Sequence, residues 1–492
     1  MSATVQEYEL AIGGTWRPAA SGATYETVNP YTGQAWARVP DAGAADVDTA
    51  VRAARAALDG EWGATTGFGR AALMRRLADI VERDAEKLAV VETTDNGKLL
   101  RETRQQTAGL AAWLRYFAGL ADKLHGETIP SANPDYFVYT REEPAGVVAA
   151  IVPWNSPLAL LHWKLAPALA AGCALVVKPS ESTPASALEY ARLFEEAGFP
   201  PGVLNVVTGQ SAELGKALVD HPGVDKIAFT GSPAVGAAIA AGAGARLTPV
   251  LLELGGKSAQ VVLPDADLEA AANGVIAGIF AADGQTCIAG SRLVVHRDVR
   301  DQLLGRIADR AKTIRLGDPL LPDTEMGPLA NRRQLDIVLG FVERAIAAGA
   351  SVVSGGRRDP DLGGLFVEPT ILADVARDAE IAQKEVFGPV LTVLDVGSED
   401  EAVAVANSTE FSLGAGLWTS DVGRAHRVAA RLQAGTVWVN SYRAVAPNVP
   451  FGGSGASGWG RENGRHAVDE FLHTKAVWID TAGRTRDPFV LG

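Results

Sequence analysis

From residue 147 onward the chain is punctuated by short, wholly apolar runs. "VVAAIV" (147–152), "ALVVK" (174–178), "VLNVV" (203–207), "DKIAF" (225–229) and "AQVVL" (259–263) lack the polar alternation of a half-exposed strand, which predicts strands buried on both faces. Helical stretches separate most of them. Asn155 and Pro157 open one helix, and Thr183 with Pro184 opens another that ends before Gly198. Apolar strands alternating with helices predict βαβ units and a parallel sheet covered on both sides. A second α/β series runs from about 265 to 455, with strands at "RLVVH" (292–296), "GPVLTVL" (388–394), "LGAGLW" (413–418) and "GTVWVN" (435–440).

The pattern differs upstream. The first 120 or so residues open as Gly/Pro-rich irregular chain, then turn helical over 46–58 (Val47, Val51, Ala54, Leu58), over 70–92 (Leu73, Leu77, Ile80, Val81, Leu88, Val91) and over about 101–122. "DYFVYTREE" (135–143) and "HTKAVWID" (473–480) belong to neither α/β series. Both alternate like exposed strands and are edges that need a partner.

Composition narrows the function. The 492 residues carry 45 basic and 58 acidic side chains, a net charge of −13, which argues against nucleic acid or an anionic membrane as a partner. The N-terminal "MSATVQEYELAIGG" lacks a basic flank before an apolar core, no apolar run approaches a membrane span, and two cysteines far apart do not make a disulfide framework. A cytoplasmic protein with no bound metal is expected.

One of those cysteines, Cys287, lies in "GQTCIAG", in a Gly-containing turn after a helix that Asp265 is expected to open and Ala282 to close. An isolated thiol is most simply a small buried hydrophobe, and Cys173 in "AAGCALVV" is read that way. Covalent chemistry at Cys287 requires an oxyanion donor and a base. "VPWN" offers the Asn155 amide at the C-terminal end of a strand, where open α/β sheets bind ligands. "LLELGGKS" sets Glu253 among leucines, surroundings that raise a carboxyl pKa into the range of a general base. "FTGSPAVG" begins a helix after a strand, a phosphate site at a helix N-terminus. Taken singly, Asn155 is equally a helix cap and Glu253 equally a surface residue at a strand end.

Together, "PWNSP", "KPSE", "FTGS", "LELGGKS", "GQTCIAGSR", "EVFGPV" and "PFGG…SGWGRENG" resemble, in order and spacing, the NAD(P)-dependent aldehyde dehydrogenase superfamily, from about residue 12 to about 475. The resemblance implies an α/β fold with a Rossmann-like cofactor domain (1–124 and 147–254), an α/β catalytic domain (255–470) and a β-strand oligomerisation arm (125–146 and 471–492) serving a homodimer or homotetramer. It implies that Cys287 attacks the aldehyde, that Asn155 and the Cys287 N–H hold the oxyanion, that Glu253 activates water to hydrolyse the thioester, and that Lys164 and Glu462 relay protons.

For the cofactor, the resemblance implies contacts from Ile151, Trp154, Lys178, Glu181, Gly215, Thr230, Gly231, Ser232, Leu254, Gln334, Glu385 and Phe387. Glu181 would accept from the adenosine ribose hydroxyls and repel a 2′-phosphate, favouring NAD over NADP. The substrate wall falls to Trp113, Leu160, Trp163, Phe280, Thr286, Ile288, Val445 and Phe451, whose apolar and aromatic character suits an apolar or aromatic aldehyde. Arg443 and His162 instead suit a carboxylate-bearing substrate or face solvent. Ser156 and Gly455 depart from the aromatic residue and the lysine frequent in the family at these points. Two other readings are a CoA-acylating semialdehyde dehydrogenase, which typically lacks the Glu253 base, and a crystallin-like scaffold, which would not need the intact cysteine, asparagine and glutamates.

Overall fold

The computed structural model describes residues 5–483 and Phe489; the remainder of the segment assigned to the oligomerisation arm, 484–488 and 490–492, lies outside the described residues. Among the described residues the strands form four sheets. The eight-stranded sheet has a parallel centre in the order Val250–Glu253, Lys226–Thr230, Val147–Ile151, Ala174–Lys178 and Leu204–Val206. The chain enters at Val147–Ile151, proceeds to one side, then returns to build the other. The strand order therefore reverses between Val147–Ile151 and Lys226–Thr230, and a crevice opens beyond their C-terminal ends.

Both edges are antiparallel and come from distant sequence. Leu10–Ile12 pairs with Leu204–Val206, and Gly458–Trp459 pairs with Val250–Glu253. The seven-stranded sheet runs Ser351–Ser354, Thr370–Ala373, Val390–Val396, Arg292–His296, Ala259–Val262, Gly414–Trp418 and Thr436–Val439, parallel except for its first strand. The two sheets bury separate apolar cores.

The α/β architecture expected from the apolar runs is present, with several local differences. The N-terminal stretch is not irregular: it holds five strands of two to six residues, too short to show a period. The helix expected over 70–92 is two, Gly67–Arg83 and Ala85–Asn96, broken at Asp84 (φ −99°, ψ 11°). Its apolar stripe is continuous because Leu73, Leu77, Val81 and Leu88 enter one core. The 259–263 run belongs to the second sheet, between Arg292–His296 and Gly414–Trp418, and Val250–Glu253 is a strand in its own right.

Asp265 does not open the next helix. Its carboxylate accepts from Thr419, Ser420, Asp421 and Arg424, while Asp267 caps Leu268–Ile279 by accepting from the Glu269 and Ala270 N–H groups. The two exposed-strand segments pair with each other: Tyr136–Pro144 lies antiparallel to Leu472–Asp480, with Thr128–Ile129 on the other side. No helix among the described residues is long and apolar enough to cross a membrane.

Candidate active site

The crevice at the strand reversal is a cavity of about 230 Å³. One wall comes from the C-terminal ends of the reversing strands: Pro153, Trp154 and Asn155 after Val147–Ile151, and Thr230, Gly231 and Ser232 at and after Lys226–Thr230. The opposite wall comes from the approach to the second sheet: Cys287 before Arg292–His296, and Glu385, Val386 and Phe387 before Val390–Val396. Leu160, Leu254, Gly255, Gln334 and Ile337 complete it.

Cys287 is held by a strained approach. The helix ends at Ile279, and Ala282 (φ 52°) and Asp283 (φ 55°) take left-handed conformations that cost non-glycine residues about 1–2 kcal/mol each. Glu102 accepts from the Ala282 N–H at 3.0 Å and Asp283 from the Gly327 N–H at 2.8 Å, which fixes the loop. Tyr442 donates to the Ile288 carbonyl at 2.9 Å just beyond the cysteine. Burial, then the carboxylates of Glu385, Glu253 and Glu462, push the Cys287 thiol up to about 12. Cys173 is fully buried in the core and burial pushes its thiol up to about 11.

Asn155 does not cap the helix Pro157–Ala171; its amide donates to the Gln285 carbonyl at 2.9 Å. A carboxamide carries two N–H donors, so one remains for the cavity. Glu253 is 3% exposed, neither of its oxygens has a hydrogen-bond partner among the described residues, and burial holds its carboxyl well above the usual range. Behind it, Lys164 and Glu462 form a fully buried ion pair, and Lys164 also donates to Thr230. Removing either charge alone would strand the other in the interior, typically a loss of about 3–5 kcal/mol.

The glycines of "LELGGKS" let the two walls meet. A Cβ on Gly255 would lie 2.3 Å from a Glu385 oxygen, and one on Gly256 would lie 2.3 Å from the Cys287 carbonyl. The Gly256 N–H donates to Glu385 at 3.0 Å, and burial pushes that carboxyl up to about 7. Phe387 is left-handed (φ 56°) and meets Trp154 edge-on at 5.2 Å. Gln334 spends its amide N–H groups on the Val386 and Phe387 carbonyls, so it orients this turn.

The cavity brings the N-terminus of one helix and the Cys287 thiol into one crevice. Ser232 caps Pro233–Gly244, a twelve-residue helix, by accepting from the Val235 N–H, and Thr230, Gly231 and Ser232 at its N-terminal end line the crevice. Trp154, Phe387 and Glu385 line the same cavity as Cys287. Lys178 is buried at the end of its strand, burial lowering its pKa, with exposed Glu181 beside it. Ile151 is buried at the end of its strand, and Gly215 lies on the Ala212–Asp220 helix with open space where a Cβ would point; neither lines the cavity.

The substrate-wall residues divide. Leu160, Trp163, Ile288 and Phe451 form one apolar cluster with Trp113 and Cys287. Trp113 stacks on Trp163 at 6.4 Å and donates to Asn463 at 2.8 Å. Thr286 is half-buried beside Cys287. Phe280 lies outside this cluster, 3% exposed in the core of the second sheet, where the helix ends at Ile279, three residues before the Ala282 that the pattern suggested. Val445 is 40% exposed and outside the cluster. His162 is fully buried, bonded to the Leu158 carbonyl and packed on Tyr190. Sequence reasoning did not find Lys98 and Gln106, which reach Ser156; no motif marks either one.

Residues 16–477 match the aldehyde dehydrogenase family. The chain is 45% identical over 490 residues to (Z)-2-((N-methylformamido)methylene)-5-hydroxybutyrolactone dehydrogenase of Acinetobacter baylyi, covering 99% of this chain and 100% of that protein. It is 44% identical over 472 residues to hydroxyisobutyraldehyde dehydrogenase of Mycolicibacterium austroafricanum, covering 96% and 93%. The NAD+ complex of aldehyde dehydrogenase from Bacillus cereus superposes with a TM-score of 0.95 at 43% identity, covering 96% of this chain and 97% of that one.

Proposed function

The chain belongs to the aldehyde dehydrogenase family, an NAD-dependent enzyme that oxidises an aldehyde to the acid, and from that premise we propose how its own residues divide the reaction. Cys287 Sγ adds to the aldehyde carbon. The oxygen that becomes anionic is held by the free N–H of the Asn155 amide and the Cys287 backbone N–H. NAD, when bound, supplies the oxidation by accepting the hydride that leaves this carbon. Trp154, Phe387 and Glu385 would hold the nicotinamide end, and Ser232 with the Pro233–Gly244 helix would hold the pyrophosphate.

The acyl group is then a thioester on Cys287. Glu253 takes a proton from the water that hydrolyses it, and Lys164 with Glu462 passes that proton onward. The observation that carries this reading is the single cavity joining Cys287 and Asn155 to the Gly231–Ser232 turn and Glu385. An unpartnered buried carboxyl held above its usual range supports Glu253 as the base. Glu253→Gln tests it: one equivalent of NADH forms in a burst, turnover falls by two or more orders of magnitude, and the acyl adduct is visible by intact-mass spectrometry. Unchanged steady-state turnover rules Glu253 out, and an acyl-CoA product on adding CoA redirects the second step.

The same reading assigns 1–124 and 147–254 to cofactor binding and 255–470 to catalysis. The sheet of Thr128–Ile129, Tyr136–Pro144 and Leu472–Asp480 joins copies of the chain into a homodimer or homotetramer. Its exposed Trp478, Ile479, Tyr136 and Phe137, on a sheet with an open edge, support that assignment.

A further inference from the structure

The helix Pro157–Ala171 begins two residues after Asn155, and its own sequence does not cap it. Pro157 has no N–H to offer, and Ser156, at the N-cap, makes no side-chain capping bond. The Ser156 hydroxyl accepts instead from Lys98 Nζ at 2.6 Å. The buried N–H of Leu158, in the first turn, must therefore find a partner elsewhere in the fold. Glu92 Oε2 is that partner, accepting from Leu158 at 3.2 Å. One turn after Glu92, on the same face of Ala85–Asn96, the Asn96 amide Nδ2 reaches the Asn155 carbonyl at 3.5 Å. Asn96 Oδ1 accepts from the Lys98 N–H at 2.9 Å, which turns Nδ2 toward that carbonyl.

Two side chains of one helix thus grip the Asn155–Leu158 turn, one at each end. Both are buried, Glu92 at 1% and Asn96 at 2% exposure, and neither lines the cavity. Burying a carboxyl is costly unless it is bonded, yet Glu92 Oε1 has no hydrogen-bond partner among the described residues. The bond to Leu158 is what the buried group is held for. Asn155 has need of such a hold. Its amide keeps one N–H on the Gln285 carbonyl and must aim the other at the oxyanion, and a misplacement of about 1 Å in an active site costs on the order of a hundredfold in rate.

We propose that Glu92 and Asn96 are positioning residues that hold the Asn155 turn so that the free amide N–H meets the oxyanion. This rests on the oxyanion role given to Asn155 above. Burial raises the Glu92 carboxyl above its usual range, with Lys98 and the Leu158 N–H pulling it down, so an uncharged amide is a close replacement there.

The test measures kcat/KM by NADH formation, with whichever of butanal, benzaldehyde and glycolaldehyde the wild type oxidises fastest. The variants are Glu92→Met, Glu92→Gln, Asn155→Ala and the double variant Glu92→Met with Asn155→Ala. Losing an oxyanion donor costs about 10²–10³-fold, which is the fall expected in Asn155→Ala. Glu92→Met displaces the donor without removing it, and its kcat/KM falls by about ten- to a hundredfold. Glu92→Gln keeps an acceptor for the Leu158 N–H and stays within about threefold of the wild type. In the Asn155→Ala background Glu92→Met costs nothing further, because the group it aims is gone. Alkylation of Cys287 by a haloacetamide forms no oxyanion, so its rate in Glu92→Met is that of the wild type. Should Glu92→Met not fold, Asn96→Asp goes through the same cycle. It keeps the acceptor for Lys98 but has no donor for the Asn155 carbonyl, and its expected loss is about fivefold, the worth of one hydrogen bond. Wild-type kcat/KM in Glu92→Met, or an equal fractional loss with and without Asn155, overturns the positioning role. Asn155→Ala at the wild-type rate overturns instead the oxyanion reading on which that role rests.

Discussion

In the absence of cofactor, Cys287 is predicted to be slow toward a small haloacetamide and to accelerate with pH well beyond the point where an ordinary thiol levels off. Burial and three carboxylates place its titration at about 12, against 9.0 for an unperturbed cysteine. A rise of roughly three pH units lowers the thiolate fraction at neutral pH about a thousandfold. Nucleophilicity recovers part of that, since it grows with basicity at roughly 0.4–0.5 of the logarithm. The net expectation is alkylation about thirty- to sixtyfold slower than that of a free thiol. Glu385 then supplies a signature. Its carboxyl titrates near 7, so it is neutral below that pH and repels the thiolate above it. Glu385→Gln and wild type should therefore react alike at pH 5.5, with the variant becoming several-fold faster by pH 9. The rate is read by peptide mass spectrometry, with buried Cys173 as an unreactive internal reference. A wild-type plateau by pH 9, or a variant-to-wild-type ratio that does not change with pH, refutes the electrostatic account of this thiol.

Two further outcomes are expected. Glu181→Ala narrows the preference for NAD over NADP about tenfold or more, measured as the ratio of kcat/KM values; an unchanged ratio means that another group reads the ribose. Ile479→Lys, on the open edge strand paired through Phe137, lowers the mass measured by light scattering from that of a dimer or tetramer toward the monomer, and an unchanged mass removes the three-stranded sheet from the assembly.

What the sequence made legible follows from the reach of each signal. Val147–Ile151, Ala174–Lys178 and Lys226–Thr230 are wholly buried strands, and uninterrupted apolar runs announce that. Val250–Glu253 was legible only as a strand end at Glu253, because its last residue is a glutamate, buried where a strand of four ends at the crevice. The break at Asp84 escaped because both helices press the same stripe into the same core. Phe280 was misassigned by a helix end that depends on Ala282 and Asp283 turning left-handed, a conformation imposed by Glu102 and the Gly327 N–H far along the chain. The Lys98–Ser156 contact had no local sign. A lysine after a glycine looks solvated until a small residue 58 positions later leaves room for it.

The strand Gly458–Trp459, laid against Val250–Glu253, has a consequence for how the protein is made. Lys164 meets Glu462 only 298 residues after it is synthesised, and Trp113 meets Asn463 after 350. At about 5–20 residues per second the lysine waits roughly 15 to 60 s on the ribosome for its counter-ion. Once Val250–Glu253 has been made, the eight-stranded sheet has an unpaired border beside it until Gly458–Trp459 follows. A chain that stops before Gly458 therefore leaves that strand border unpaired, Lys164 without Glu462 and Trp113 without Asn463.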